Sequence, residues 1–398
     1  MKRSILVTGA SIAGPALAYW LRRYGMDVVV VERAPQLRDG GQTIDIRGAS
    51  KTVVKRMGIE AQIRADTTHE EGIAFVDEMN RFRAAIGADA FEGEGFVAEI
   101  EILRGELAKI LVEHSRADVD YVFGDRISTL NDDGEKVHVT FQNGAPRTFD
   151  LVVIAEGINS STRKLVFGDE VKFRSFNLYT AYFTIPREPS DGSWARWFNS
   201  PGSLSVMLRP DNLGTTRALM SFQGPQLGYE KLKPAEQKAL LKQKFAHIGW
   251  ETPRVLRALD DTPDFYFESI GQIKMPRWSK GRVAILGDAG YCASPISGMG
   301  TALALVGAYV LAGELMRNDD HRKAFAAYEA IMRPYVDQAQ DVWQYSPRLA
   351  SPRTRVGIAI GRAVLSLASV PVIQQLTRRF FTTRSDAITL PDYESAPS

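Results

Sequence analysis

Two small-residue turns, one at the start of the chain and one well into its second half, carry the residues best suited to hold a large anionic cofactor. The first reads Gly9-Ala10-Ser11-Ile12-Ala13-Gly14 and is followed by Glu32. A G-x-G-x-x-G turn between strand and helix, with an acid about 20 positions on, is the pattern of dinucleotide binding. Gly9 allows the tight turn and Gly14 lets the helix pack close to the strand. The helix start then offers free N–H groups to a pyrophosphate, and Glu32 stands where a carboxylate accepts from a ribose diol. Ala13 in the turn and Arg33 beside Glu32 are counted with this site. Ser11 replaces the middle glycine, which makes close backbone approach less free. The second turn follows the strand that ends in Gly287-Asp288. Asp288 is placed to accept from a sugar-like chain. Pro295 lies in the loop, and Gly298 to Thr301, including Gly300, present N–H groups at a helix start to an electron-rich ring edge.

The elements that must position these residues follow from hydrophobic pattern. Ser4 to Gly9 is an apolar strand, Ile12 to Tyr24 has helical spacing, and Met26 to Glu32 is a β-branched run covered on both faces. Glu101 to Ser115 reads as an amphipathic helix, and strands are expected at Val119–Phe123, Val137–Phe141 and Leu151–Ala155. From about Phe173 to Ile273 the texture changes to aromatic-rich alternating runs, the mark of an antiparallel sheet. Lys233 to His247 reads as a helix among them. The last hundred residues are mainly helical. The fold class expected is α/β: a Rossmann-like nucleotide-binding domain from residues 1–170 and 275–345, an inserted antiparallel-sheet substrate domain at 171–274, and a C-terminal helical segment at 346–398.

Composition excludes several classes. The 49 basic and 47 acidic residues nearly cancel, so no electrostatic footprint for nucleic acid exists. The five histidines stand apart from the single Cys292, without metal-ligand spacing. One cysteine fits a reducing, cytoplasmic setting. The apolar run from Val356 to Ile373 carries Arg362 and Pro371 and is short for a span of ~20 residues, so no membrane span is expected. The oligomeric state expected is a monomer or weak dimer.

With these motifs in order, the chain resembles the class A flavoprotein monooxygenases, the para-hydroxybenzoate hydroxylase superfamily. Asp288, Pro295, Gly298 and Gly300 match that family's GD motif, where the Asp binds the ribityl chain and the loop lies against the isoalloxazine ring. Tyr291 stands where many members have His. The stretch Asp150 to Arg163 resembles the DG motif, which serves FAD and NAD(P)H; Gly157, Ser160 and Arg163 fit, and Glu156 replaces the usual Asp. Ile102-Leu-Arg104-Gly-Glu-Leu107 resembles the family's R-x-x-L helix, whose Arg reaches the FAD. A narrower likeness is to the tetracycline destructases, carried by the segments at Thr43 to Gly48 (with Arg47 near the flavin), Glu101 to Gly105, Asp264 to Phe267, Gln272 to Met275 and Gly287 to Cys292. Those enzymes carry a C-terminal helix against the substrate cavity, a role open to Arg355 to Leu376.

The resemblance implies noncovalent FAD, NADPH or NADH as electron donor, and O₂. It implies one oxygen atom inserted through a C4a-hydroperoxyflavin into a planar, polycyclic aromatic or enolic substrate, with a tetracycline-like polyketide first. A hydroxylase of polyketides or simple phenols in biosynthesis or catabolism stays open, as does a non-catalytic flavin- or drug-binding protein. No side-chain triad suggests itself as the chemical engine, since the cofactor carries such chemistry. Arg209, Met220, Phe222 and Phe267 in the aromatic strands are the substrate-contact candidates. Cys292 is read as a small buried residue, not a covalent flavin anchor.

Overall fold

The computed structural model describes residues 2–38, 40–90, 98–368 and 387–393. Its first sheet has six strands in the order Ser279–Lys280, Val283–Ile285, Leu151–Ile154, Ser4–Thr8, Asp27–Glu32 and Asp120–Phe123. All neighbours run parallel except the first pair. The central strands carry buried Val/Ile/Leu runs, LVVI at Leu151–Ile154, ILV within Ser4–Thr8 and VVVV within Asp27–Glu32, which fits strands covered on both faces. Helices Ala13–Arg23, Arg104–Ser115 and Gly300–Arg317 cover them. The last of these is buried along most of its length, and Tyr309 on it meets Trp20 edge-on at 4.9 Å.

Helix formation begins later than expected in one place. Glu101–Leu103 is a strand that pairs antiparallel with Thr43–Asp45, and the helix runs from Arg104 to Ser115. Leu103 stays extended (φ −65°, ψ 136°) because Ile102 and Leu103 are both buried on the short sheet. A three-residue strand has no periodicity with which to announce itself beside a helix of twelve.

The second large sheet has seven strands, ordered Tyr266–Lys274, Lys172–Pro186, Thr215–Gln223, Leu204–Pro210, Ala195–Ser200, Gly72–Val76 and Phe82–Gly87. It is antiparallel except where Ala195–Ser200 meets Gly72–Val76. Those last two strands come from the segment before residue 170, so the sheet recruits chain from outside the 171–274 stretch. Successive side chains alternate between faces. One face, with Tyr179, Ala181, Met220 and Phe222, packs beneath helix Pro234–Phe245 with Leu241 and Phe245. The other, with Thr180, Tyr182, Leu219 and Ser221, fronts a cleft between the two sheets.

Helix Arg355–Ala368 lies over that cleft. It docks on the sheet edge through Arg362, which donates to the Val76 carbonyl at 2.6 Å, and through Leu365 against Phe75 and its neighbours. The remainder of the segment to Leu376 falls outside the described residues. Residues 387–393 return to the nucleotide-binding sheet, where buried Tyr393 donates to Glu314 at 2.7 Å. Among the described residues no helix is long and apolar enough to cross a membrane, and no group of three or more side chains is arranged to hold a metal.

Candidate active site

A single cleft of about 1530 Å³ runs from the Gly9 turn, past the Gly298–Thr301 loop, to the open face of the seven-stranded sheet under the C-terminal helix. Its cofactor end is built from two helix starts. Helix Ala13–Arg23 has Ile12 at its N-cap and helix Gly300–Arg317 has Met299; neither has a side-chain cap or an acid in its first turn. Their first N–H groups and positive dipole ends are thus left to a ligand. Gly9 has φ +97°, and a Cβ there would sit 2.5 Å from the Ala155 carbonyl oxygen. A Cβ on Gly14 would be 1.9 Å from the Gly9 carbonyl oxygen. The close approach that makes this turn is therefore closed to any other residue.

Of the cofactor-site residues expected from sequence, Gly9, Ser11, Ala13, Glu32, Arg33, Arg47, Arg104, Asp288, Pro295, Gly298, Gly300 and Thr301 all line the cleft. Gly14 lies behind the turn. Glu32 accepts from the Ala10 and Ala34 backbone N–H groups at 2.9 and 2.8 Å, which fixes its carboxylate at the rim. Arg104 crosses towards Ser11 Oγ at 3.4 Å, and its buried Nε has no hydrogen-bond partner among the described residues. Burial pulls the Arg104 pKa down. An orphaned guanidinium nitrogen beside two uncapped helix starts fits an anionic dinucleotide. Asp288 faces the open cleft yet is enclosed by its walls, and that burial raises its carboxyl above the usual range. With the Cys292 thiol beside it, the carboxyl keeps lone pairs to accept from polyol hydroxyls.

The segment Glu156 to Arg163 divides. Glu156 and Gly157 line the cleft, but the Glu156 carboxylate is occupied by Ser160 Oγ at 2.8 Å, Thr162 Oγ1 at 2.5 Å and the Thr162 N–H at 3.1 Å. Ser160 caps helix Ser161–Phe167 by accepting from the Arg163 N–H at 3.0 Å. The longer Glu therefore reaches a helix start to which it is anchored by three bonds. Arg163 is buried and donates to backbone carbonyls of Ile158 and Ala289. Cys292 lines the cleft too, but burial pushes its thiol pKa well up, which leaves it protonated and a poor covalent anchor. Tyr291 is buried, sharing a 2.7 Å hydrogen bond with Tyr328.

Of the substrate-contact candidates, Arg209 lines the cleft, whereas Met220, Phe222 and Phe267 belong to the opposite face and are core. Strand alternation sends their neighbours Leu219 and Ser221 to the cleft instead. Phe75, Trp197 and Met207 widen that apolar floor, with Phe75 and Trp197 stacked at 5.4 Å. The contribution of Phe75 was hidden from sequence because its strand joins the sheet only through a partner more than a hundred residues away. Between the two ends sits a charged cluster that sequence reasoning missed. Glu70 and Glu101, both buried, converge on Arg209, while Asp45 pairs with Arg47 at 2.9 Å. Only the short sequence pattern Glu101-Ile-Leu-Arg104, with an acid inside an apolar stretch, hinted at it.

Comparison with known proteins bears on this geometry. Residues 2–342 match the family model described as "FAD binding domain". A flavin-dependent monooxygenase of Legionella longbeachae is 37% identical to the chain over 98% of both sequences. An uncharacterized protein of Mycobacterium tuberculosis strain H37Rv is 41% identical, over 85% of this chain and 92% of its own length. Among solved structures, tetracycline destructase Tet(55) superposes with a TM-score of 0.82 at 34% identity, covering 98% of this chain and 99% of that one.

Proposed function

The chain belongs to the FAD-binding-domain family as a class A flavoprotein monooxygenase, and from that premise we propose that it inserts one oxygen atom into a planar polycyclic enol or phenol, a tetracycline-like polyketide first. The observation that carries this reading is the continuity of the cleft. Ligand pockets usually occupy about 300–1,000 Å³, and 1530 Å³ has room for a dinucleotide and a multi-ring ligand end to end. The likeness to a tetracycline destructase over nearly the whole chain supports the ligand class.

When bound, the flavin accepts reducing equivalents from NAD(P)H and delivers activated oxygen from O₂, chemistry that belongs to the cofactor. The chain's own residues bind, orient and exclude water. In this reading Ser11, Ala13 and Arg104 hold the pyrophosphate, Glu32 the ribose and Asp288 the ribityl chain. The Gly298–Thr301 helix start supports the electron-rich ring edge, with Arg47 close by. NADPH, preferred over NADH, docks transiently on the nucleotide-binding unit near Glu156 and Gly157, since the sequence has no second dinucleotide turn. Phe75, Trp197, Met207 and Leu219 provide a flat floor for a ring system, and the C-terminal helix covers it. The single buried Cys292 suits a reducing cytoplasm.

The test is incubation with NADPH and a panel of tetracyclines, anthracyclines and simple phenols, following NADPH loss, substrate absorbance and ¹⁸O incorporation from labelled O₂. A tetracycline gaining one labelled oxygen is the expected result. If tetracyclines stay unchanged while a simple phenol gains one, the substrate assignment fails and the oxygenase chemistry stands.

A further inference from the structure

The charged cluster at the waist of the cleft has more carboxylates than cations. Asp45 and Glu101 stand directly opposite each other on their two-stranded antiparallel ladder, an arrangement that like charges disfavour. Glu70 enters from the segment before Gly72 as a third carboxylate. Two guanidinium groups answer them. Arg47 donates from Nε to Asp45 at 2.9 Å. Arg209, from strand Leu204–Pro210, places one nitrogen, Nη2, against both Glu70, at 2.6 Å, and Glu101. Its Nε also reaches Glu70 at 3.1 Å. Thr68 Oγ1 approaches the far oxygen of Glu101 at 3.4 Å. Among the described residues the remaining Arg209 nitrogen, Nη1, has no hydrogen-bond partner, and Arg209, Glu101, Asp45 and Arg47 all line the cleft.

We infer that the Glu70–Glu101 pair beneath Arg209 is a proton-gated receptor for an anionic oxygen on the aromatic ligand. With a proton on Glu101, the Arg209 guanidinium keeps charge to offer a ligand at Nη1. Without it, two buried carboxylates claim the same guanidinium and the waist of the cleft repels anions. Burial is the largest influence on Glu101 and, with the nearby Glu70 carboxylate, outweighs the attraction of Arg209, so that its carboxyl is pushed up to about 7. Burial likewise raises Asp45 to about 6 despite Arg47. The gate thus opens and closes across neutral pH. For an enolic or phenolic ligand, the proton that Glu101 needs is the one the ligand hydroxyl gives up. The ligand O–H bond breaks, an O–H bond forms on Glu101, and the ring docks as its electron-rich conjugate base with no net exchange with solvent.

This inference rests on the proposed function for the ligand class alone, and its test involves no turnover. Equilibrium dialysis of the FAD-loaded protein with 2-naphthoate, ionised throughout, and with neutral 2-naphthamide is compared between pH 6 and 9 in the absence of NADPH. Naphthoate affinity is expected to fall at least about tenfold from pH 7 to 9, as exclusion by a single titrating group requires, while naphthamide affinity stays level. In Glu101→Gln the naphthoate profile flattens at the tight-binding value, and flavin content and melting temperature verify that the variant is folded. A flat naphthoate profile in the unmodified protein, or naphthoate binding no tighter than naphthamide at pH 6.5, overturns the inference without reference to any variant. So does a Glu101→Gln profile that still falls between pH 7 and 9, above the range in which Asp45 titrates. Failure of every aromatic in the oxygenation panel would overturn the substrate reading and leave this binding result readable.

Discussion

Arg163 donates from Nη1 to the carbonyl oxygen of Ala289 at 2.7 Å, across 126 positions of sequence. Through Nη2 it also donates to Ile158 at 2.8 Å. One buried side chain thereby ties the turn after Leu151–Ile154 to the loop that carries Asp288, two segments that line the same cleft.

Arg163→Met removes both donors while keeping apolar bulk. Each stranded carbonyl costs about 1–3 kcal/mol. The expected result is a lower melting temperature together with loss of flavin on gel filtration, with Arg163→Lys recovering part of both. A variant that melts like the unmodified protein and keeps its flavin absorbance would show that the two segments hold their relation without this tie.

Asp288→Ala should weaken flavin retention by about 1–3 kcal/mol, roughly 5- to 150-fold in Kd, because polyol hydroxyls lose their acceptor. Asp288→Asn keeps one acceptor oxygen and should fall between. Fluorescence titration of FAD into the deflavinated proteins measures the order. Equal affinities for all three would remove Asp288 from the binding site.

What the sequence made legible was local. The Gly9 turn, Glu32 and the Asp288 loop are short-range patterns whose geometry depends on glycines and helix starts, and the structure gathers them at one end of the cleft. The substrate face was less legible for a physical reason. Alternation along Thr215–Gln223 separates Met220 and Phe222 from Leu219 and Ser221, but both faces of the sheet are apolar. Which one meets the cofactor depends on where helix Pro234–Phe245 packs, and strand periodicity carries no information about that. Glu70, in a polar run, becomes notable only when folding brings it to Arg209, 139 positions away.

Burial is the largest influence on Glu268 and raises its carboxyl to about 7, with Asp288 adding repulsion and the hydroxyl of Tyr266, 3.0 Å away, opposing it. The folded chain thus keeps a proton that the unfolded chain releases near 4.5. Stability from this group is present below that value and is lost as pH rises towards about 7. Glu268→Gln is therefore expected to melt on the order of 2–4 °C above the unmodified protein at pH 8 and level with it at pH 5. Calorimetry at both pH values decides it. A variant less stable at pH 8 would mean that the charged form of Glu268 is held by groups beyond Tyr266.

Among its described residues the C-terminal segment is attached at two separable places, and they predict different phenotypes. Helix Arg355–Ala368 is held over the substrate end by Arg362 on the Val76 carbonyl and by Leu365 on the Phe75 cluster. Tyr393, far from the cleft, stacks on Arg317 at 4.3 Å, donates to Glu314 and rests on Gly313, where a Cβ would lie 2.3 Å from its ring. Tyr393→Ala opens a buried hole in the nucleotide-binding unit, at a cost of about 3–5 kcal/mol for a large aromatic. It should lower the melting temperature and leave the preference between large and small substrates unchanged. The Arg362→Ala, Leu365→Ala double variant loosens only the cover. It should raise KM for a polycyclic substrate roughly tenfold, equivalent to about 1.4 kcal/mol, with little change in KM for a simple phenol or in melting temperature. Deleting everything after Pro352 should combine the two effects. If the double variant instead lowers stability and leaves the ratio of KM values intact, the helix braces the sheet edge and plays no part in choosing the ligand.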